Sequence, residues 1–225
     1  MSASWEVSQA NQVLVGILHT EVTSIAWAFG LRNLKIPGRE DLRQFDPFCC
    51  VAGQTYDMAR NTICQHALSV GAKFVFMVDS DVIVPSDTIE RLIARNLPII
   101  SGMYCRRSPP HSVPVAIKNG TWFVPPRLGE VYEVDLVGAG CLLINTDVLK
   151  QLPPQEPGSH WFQWTVHKKG IVPDGKALSE DFTFCVHARE HGFDTYLDTS
   201  IQCLHVGQAE SKLHSYLPSQ VYTRT

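Results

Sequence analysis

The run Phe74 to Val78 constrains the fold most, because it is apolar at every position and leads directly into Asp79-Ser80-Asp81. A strand that is apolar on both faces is typical of the buried centre of a parallel sheet covered by helices. Ligands of open α/β sheets bind beyond the carboxyl ends of the strands. The run therefore predicts an α/β fold with an acidic site at one edge of the sheet.

Strand and helix signals alternate around this run in the first half of the chain. Apolar runs predict strands at Val13 to Leu18, Phe48 to Ala52 and Pro98 to Ser101, and capping residues and periodicity predict helices at Thr23 to Leu34, after Thr55 and from Asp87. The second half is less regular. Its predicted strands are residues 134–137, Cys141 to Ile144, Trp161 to Val166 and Tyr196 to Leu204, and its helices begin at Asp147 and Ser179.

Composition limits the class of protein. The 225 residues suit one large or two tightly joined domains, and the 44% hydrophobic and 18% charged residues exclude a disordered or fibrous chain. Seven cysteines without a CxxC spacing suit a reducing compartment. The first twelve residues show no signal peptide, and no apolar run is long enough for a membrane anchor, so we expect a soluble cytoplasmic protein. The net charge of −3 argues against nucleic-acid binding by bulk charge, although a local basic groove stays open.

Asp79 and Asp81 are the strongest chemical signal. Residues i and i+2 of an extended backbone point to the same side, so the two carboxylates are expected to converge. Such oxygen ligands suit Mg²⁺ or Mn²⁺ bridging a diphosphate. His205 ends a later predicted strand and offers a nitrogen ligand. The alternative is a solvated turn with a structural histidine.

Eight segments, taken in order, carry a resemblance that covers most of the chain: VLVGILHT, YDMARNTICQHAL, FVFMVDSDVIVPSD, ISGMYCRRSPPHSVPV, VDLVGAGCLLINTDVL, WFQW, LSEDFTFCVHAREHGFDTYLD and CLHVG. Together they resemble the small soluble GT-A fold glycosyltransferases with a DxD motif, common in bacterial and phage genomes. The resemblance implies an open, mostly parallel sheet flanked by helices, with a smaller mixed sheet on the acceptor side. It also implies a single GT-A domain, with a nucleotide-sugar-binding half (1–102), an acceptor and catalytic half (103–207) and a tail (208–225).

The resemblance implies metal-dependent transfer of a sugar from a nucleoside-diphosphate sugar, with a UDP-sugar as the expected donor. Mn²⁺ or Mg²⁺ would be held by Asp79, Asp81 and His205. The donor would be bound by His19, Thr20, Arg60, Asn61, Asp79, Ser80 and Asp81. The Arg60 guanidinium can reach the base or the phosphates by forked hydrogen bonds, although a helix-surface arginine and a buried asparagine that ties a loop remain alternatives.

Glu180 and Asp181 open a helix behind Ser179, and a helix N-terminus stabilises negative charge. The resemblance implies that Asp181 deprotonates the acceptor hydroxyl and that Glu180 is structural or binds the acceptor. The alternative is that both acids only complement the helix dipole.

The acceptor would lie against Gly138, Ala139, Gly140, Arg106, Arg107 and one of Trp161 and Trp164. The Gly-Ala-Gly segment can also be a bulge between strands, and the arginines a solvated loop. A glycan or small molecule is the favoured acceptor, and the hydroxylated bases of phage DNA are the alternative, supported by Lys168 and Lys169. A phage protein would act in the host cytoplasm. A sugar nucleotidyltransferase is disfavoured because its GxGxR loop is missing, and a noncatalytic sugar-binding module because it would not need both acidic motifs.

Overall fold

The computed structural model describes residues 13–19, 23–37, 46–107, 113–153, 160–165, 178–207 and 213–214. These residues form the strands β1 (Val13–His19), β2 (Phe48–Ala52), β3 (Phe74–Asp79), β4 (Val82–Ile83), β5 (Ile99–Met103), β6 (Ala116–Lys118), β7 (Thr121–Trp122), β8 (Val131–Val134), β9 (Leu136–Val137), β10 (Cys141–Asn145), β11 (Thr195–Gln202), β12 (Leu204–Val206) and β13 (Leu213–His214). The helices are α1 (Ile25–Arg32), α2 (Tyr56–Ser69), α3 (Thr88–Ala94), α4 (Thr146–Gln151) and α5 (Glu180–Glu190).

The central sheet has seven strands in the order β2-β1-β3-β10-β5-β11-β8. Strand β1 pairs in parallel with β2 and β3, and β5 pairs in parallel with β11. Strand β10 is antiparallel to both β3 and β5, and β8 is antiparallel to β11. Five strands therefore point one way and two the other, so the expected mostly parallel α/β sheet is confirmed.

Two smaller sheets lie beside the central one. Strand β12 is antiparallel to β4 and β13, and this pairing places His205 opposite Val82. Strand β6 is antiparallel to β7 and β9. The β6–β7 hairpin turns at Asn119 and Gly120, which have φ angles of 53° and 70°. Positive φ at both positions matches the twist that two-residue hairpin turns require.

Helices cover both faces of the central sheet. Leu142 and Leu143 are neighbours on β10 and belong to opposite hydrophobic clusters, one packed by α2, α4 and α5 and the other by α1 and α3. Ile63 of α2 lies so close to β1 that a Cβ on Gly16 would be 2.3 Å from its Cγ2. In the described ranges, no helix has the length and apolar character needed to cross a membrane.

Three predicted strands differ from the structure. The predicted strand 134–137 is divided at Asp135, whose N–H donates to Ile117 O, so that Val134 ends β8 of the central sheet and Leu136–Val137 form β9, which pairs with β6. Of Trp161 to Val166, residues 161–165 are described and contain only an isolated bridge between Thr165 and Leu178. The prediction was wrong there because the backbone of Phe162 bonds to the Asn61 side chain instead of a strand. The predicted strand from Tyr196 to Leu204 is interrupted at Cys203, whose N–H donates to Met103 O, and the chain continues in a different sheet as β12.

Candidate active site

The acidic triplet lies at the carboxyl end of β3 and is fixed by its backbone. The Ser80 N–H donates to Leu18 O of the neighbouring β1 at 3.2 Å, and the Asp79 N–H donates to Gly140 O at 3.2 Å. From α1, the Trp27 Nε1–H donates to Asp79 O at 2.8 Å. The chain therefore turns at Ser80 and Asp81 in a position held by three neighbouring elements.

Arg60 joins the triplet to the start of α5. Its Nη2 lies 3.1 Å from Asp79 Oδ1 and its Nε lies 3.2 Å from Glu180 Oε1. Its Nη1 also donates to Ala139 O at 3.3 Å. The Arg60 side chain is only 3% exposed, so the guanidinium is enclosed between the acids that it binds.

The cluster contains one guanidinium and three carboxyl groups, those of Asp79, Glu180 and the nearby Asp181. Their formal charges therefore do not balance. Burial raises the pKa of Asp79 although Arg60 opposes the change. Burial and then the charge of Asp181 raise the pKa of Glu180 to about 7, against the opposing charge of Arg60. Burial alone would lower the pKa of Arg60, but the three carboxylates raise it overall. Arg60 therefore stays charged, and Glu180 holds a proton until near neutral pH.

Asp81 is bound by a different set of cations. Arg107 Nη1 lies 2.5 Å from Asp81 Oδ2, and His205 Nε2 lies 3.5 Å from Asp81 Oδ1. Burial raises the pKa of Asp81, but the hydrogen bond and charge of His205 and the charge of Arg107 outweigh it and hold the pKa below its ordinary value. The chain turns at Asp81, so the carboxylates of Asp79 and Asp81 bind different partners. The prediction that they converge assumed an extended backbone and was wrong for this reason.

His205 has the arrangement of a metal-ligating histidine. Its Nδ1 lies 2.7 Å from Cys105 O, and a carbonyl oxygen can only accept, so Nδ1 carries a proton. The other ring nitrogen, Nε2, faces Asp81 Oδ1, and a metal ion bound there would take the place of the Nε2 proton. Metal-ligating histidines commonly donate their other ring N–H to a carbonyl in this way. Asp81 and His205 therefore fit a divalent ion. Among the residues that the structure describes, no group of three His, Cys, Asp or Glu side chains is close enough to hold one.

Asp181 is held at the start of α5 and is partly exposed, whereas Glu180 is buried. Asp181 Oδ1 accepts from the Phe182 N–H at 2.8 Å and from the Ser179 hydroxyl. Its Oδ2 accepts from the Ala139 N–H at 3.2 Å. Of the two acids, Asp181 is the one whose carboxylate can also meet a ligand.

The backbone of Ala139 lies between the two acidic motifs, because its carbonyl accepts from Arg60 and its N–H donates to Asp181. The glycines on either side pack against Tyr104, whose Oη accepts from the Gly140 N–H at 3.0 Å. The Gly-Ala-Gly segment thus brings its backbone close to Arg60 and Asp181. Tyr104 was missed, since nothing in the sequence marks it as the partner of these glycines.

The other predicted site residues are distributed as follows. Asn61 Nδ2 donates to Phe162 O at 2.7 Å and its Oδ1 accepts from the Phe162 N–H at 3.0 Å, so the side chain ties a loop. The backbone of His19 ends β1, and Thr20 lies outside the described residues.

The two tryptophans predicted for the acceptor side differ in their surroundings. Trp161 Nε1–H donates to Leu149 O at 2.9 Å, whereas Trp164 is 54% exposed.

The two adjacent arginines face different partners. Arg107 binds Asp81, while the Arg106 guanidinium lies 4.2 Å from the ring centroid of Trp122. The Trp122 ring in turn lies 6.3 Å from that of Phe182, the residue that follows Asp181. Sequence reasoning favoured Trp161 or Trp164 as the aromatic residue of the site. The structure instead places Trp122 beside the start of α5.

No protein-family model matches the chain. No curated protein matches it either. Its fold is similar to that of A197 from STIV, with a TM-score of 0.59, 13% identity, and coverage of 92% of this chain and 94% of that one. It is also similar to GalNAc-T7, crystallised with UDP, GalNAc and Mn²⁺, with a TM-score of 0.54 and 10% identity. That match covers 90% of this chain but only 45% of GalNAc-T7.

At these identities the similarity establishes the fold and not the activity. Both alignments include most of this chain. The chain therefore has a glycosyltransferase-like α/β fold of the GT-A type.

Proposed function

We propose that the protein is a glycosyltransferase that moves a sugar from a nucleoside-diphosphate sugar, with UDP as the favoured nucleotide, to an acceptor hydroxyl. The observation that carries the proposal is the bridge from Asp79 through Arg60 to Glu180. This bridge brings the acidic end of β3 and the start of α5 to one edge of the sheet. A donor-binding acid and a base for the acceptor are needed at such a place. The shared fold with GalNAc-T7, whose structure contains UDP, GalNAc and Mn²⁺, supports the same assignment.

On the donor side, Asp81 and His205 would hold Mn²⁺ or Mg²⁺ and leave its other positions to phosphate oxygens and water. Asp79, which Arg60 binds, is proposed to contact the donor. The ion would neutralise negative charge on the departing diphosphate. Ser80, which follows β3, and His19, which ends β1, are proposed donor contacts. Thr20 lies outside the described residues and stays a prediction from the sequence.

On the acceptor side, Asp181 Oδ2 is proposed to accept the proton of the attacking hydroxyl. The acceptor oxygen then forms a bond with the anomeric carbon, and the bond from that carbon to the phosphate oxygen breaks, leaving the electron pair on the diphosphate. Three hydrogen bonds hold the Asp181 carboxylate in one orientation before the acceptor arrives. Such preorganisation is a main source of general-base efficiency.

The acceptor is proposed to be a glycan or a small molecule lying near Trp122, Arg106 and the Gly138-Ala139-Gly140 segment. The Arg106 guanidinium lies over the Trp122 ring. The Trp122 ring lies beside that of Phe182, the residue that follows the proposed base Asp181. A hydroxylated base in DNA is the alternative acceptor. Because DNA binding requires phosphate contacts, its affinity would fall steeply with salt, whereas glycan binding would not. Labelled donor offered to both acceptor classes over a salt series separates the two.

Thermal stability with a panel of nucleotides, each with and without Mn²⁺, tests the proposal. A ligand at 100 times its Kd stabilises the folded state by about 2.7 kcal/mol. We expect UDP or a UDP-sugar with Mn²⁺ to raise the melting temperature, and Asp81→Asn to reduce the shift. If no nucleoside diphosphate or nucleoside-diphosphate sugar changes the melting temperature with metal present, the donor site does not exist and the proposed function is wrong.

A further inference from the structure

We propose that Arg60 is a positioning residue that holds the donor-binding acid Asp79 and the catalytic helix in register, and that it acts on the reaction only through the acids it binds. The inference rests on the proposed function. It assigns to Arg60 a role other than direct contact with the base or phosphates of the donor.

The first argument is access. The Arg60 side chain is 3% exposed, and its three bonds to Asp79, Glu180 and Ala139 use Nη2, Nε and Nη1 respectively. Each nitrogen of the guanidinium is therefore directed at a protein oxygen. A donor phosphate would have to displace one of these partners to reach it.

The second argument is the identity of the partners. Asp79 belongs to the triplet that contains Asp81, and Glu180 immediately precedes Asp181. Ala139, the third partner, donates its N–H to Asp181. One side chain thus binds the residue before the proposed base, the backbone that orients that base, and the acidic strand end.

The third argument is geometry. A guanidinium presents its donors in a rigid plane, so bonds to two carboxylates fix the distance between them, whereas a lysine ammonium offers a single point of charge. A displacement of 1 Å between reacting groups can cost about 100-fold in rate. Loss of the guanidinium fork is therefore expected to affect catalysis more than folding, provided that positive charge is kept.

The test compares Arg60→Lys and Arg60→Met with a matched control elsewhere. Arg95 pairs with the fully buried Asp198 at 2.8 Å, and the residues it contacts, Asp198 and Ser200, belong to β11 and not to the site. Arg95→Met therefore also removes a guanidinium from a buried carboxylate. For each variant we would measure the melting temperature, the Kd of UDP with Mn²⁺ by calorimetry, and kcat.

We expect Arg60→Met to lower kcat about 100-fold and Arg60→Lys about tenfold, as misplacement of reacting groups predicts. Arg95→Met should leave kcat and the Kd of UDP within about twofold of wild type, since additive effects are the rule for distant sites. If Arg60→Met does not fold, the kcat of Arg60→Lys tests the proposal. A lysine variant with wild-type kcat would overturn the proposal.

A double-mutant cycle with Asp79→Asn shows whether Arg60 acts through that acid. If it does, Arg60→Lys should weaken UDP binding in the wild-type background and change it by less than about twofold once Asp79 is altered, because residues in one network are not additive. Fully additive losses would mean that Arg60 contacts the nucleotide itself, and would overturn the positioning role while leaving the proposed function intact. Absence of UDP binding by the wild type would overturn both.

Discussion

Tyr104 fills the space beside Gly138, so that a Cβ added to this glycine would lie 2.0 Å from Tyr104 Oη and 2.7 Å from a methyl carbon of Val115. Tyr104 also accepts the N–H of Gly140 and contacts the ring of His205 edge-on, with 5.5 Å between ring centroids. One buried phenol therefore packs against the glycine segment and the proposed metal ligand. Burial raises the pKa of this phenol well above its usual value, so it stays neutral.

Gly138→Ala should destabilise the protein by about 1–3 kcal/mol, the usual cost of overpacking a core. Urea denaturation measures the change. Tyr104→Phe by itself leaves the Gly140 N–H without its acceptor and should cost about 1–3 kcal/mol. The control is therefore the double variant, which should cost less than the sum of the two single changes because the added Cβ no longer meets the hydroxyl. A Gly138→Ala protein as stable as wild type would show that Tyr104 does not occupy this space.

Asp81→Asn should abolish sugar transfer, because the proposed ion would lose an anionic ligand. The negative charge on the departing diphosphate would then no longer be neutralised. Circular dichroism should show an intact fold, since Asp81 lies at a turn and is partly exposed. Asp147→Asn is the control, because Asp147 forms an exposed pair with Lys150 on α4. Undiminished transfer by Asp81→Asn, with Mn²⁺ and in chelator alike, would contradict the metal assignment.

Asp181→Asn should reduce kcat by about 100- to 10,000-fold, the usual contribution of a general base. The amide keeps an oxygen that can accept from Ala139, so donor binding should change little. Calorimetry with UDP and single-turnover transfer separate the two effects. Equal losses in UDP binding and turnover would instead indicate a structural role for this carboxylate.

Stability should fall as pH rises from about 4.5 to about 7, because the pKa of Glu180 moves from 4.5 to about 7 on folding. In this window the folded state binds more protons than the unfolded state. The contribution of Glu180 to the free energy of unfolding is therefore fully present below pH 4.5 and is lost as the pH rises through 7. The size is on the order of 3 kcal/mol. Urea denaturation of wild type and Glu180→Gln from pH 5 to 8 checks this, and the variant should show a smaller slope. Identical slopes would exclude Glu180 as the source.

Arg106→Ala and Arg107→Ala should have different effects although the residues are adjacent. Arg106 lies over Trp122 on the proposed acceptor side, so its loss should raise the KM for acceptor and spare donor hydrolysis. Arg107 binds Asp81, so its loss should change donor and metal affinity first. Donor hydrolysis and transfer measured side by side distinguish the two. The same profile for both variants would contradict the division.

Local sequence patterns predicted the first half of the fold well. The apolar run at Phe74 and the helix that begins after Thr55 each depend on neighbours within a few residues. Periodicity and capping are local properties, and they can therefore be seen in a single sequence. The same patterns placed the acids at the ends of a strand and a helix.

Partners distant in the sequence had to be supplied by the tertiary structure. Asn61 converts a predicted strand at Phe162 into a tied loop from 101 residues away, and Arg60 reaches Glu180 across 120 residues. Sequence alone determined which residues carry charge and which strand delivers them, because side-chain chemistry and hydrophobic period are written locally. Only the tertiary structure decided that Arg60 is enclosed, that Asp79 and Asp81 bind different cations and that Trp122 lies beside Phe182, because burial and contact depend on how distant segments pack.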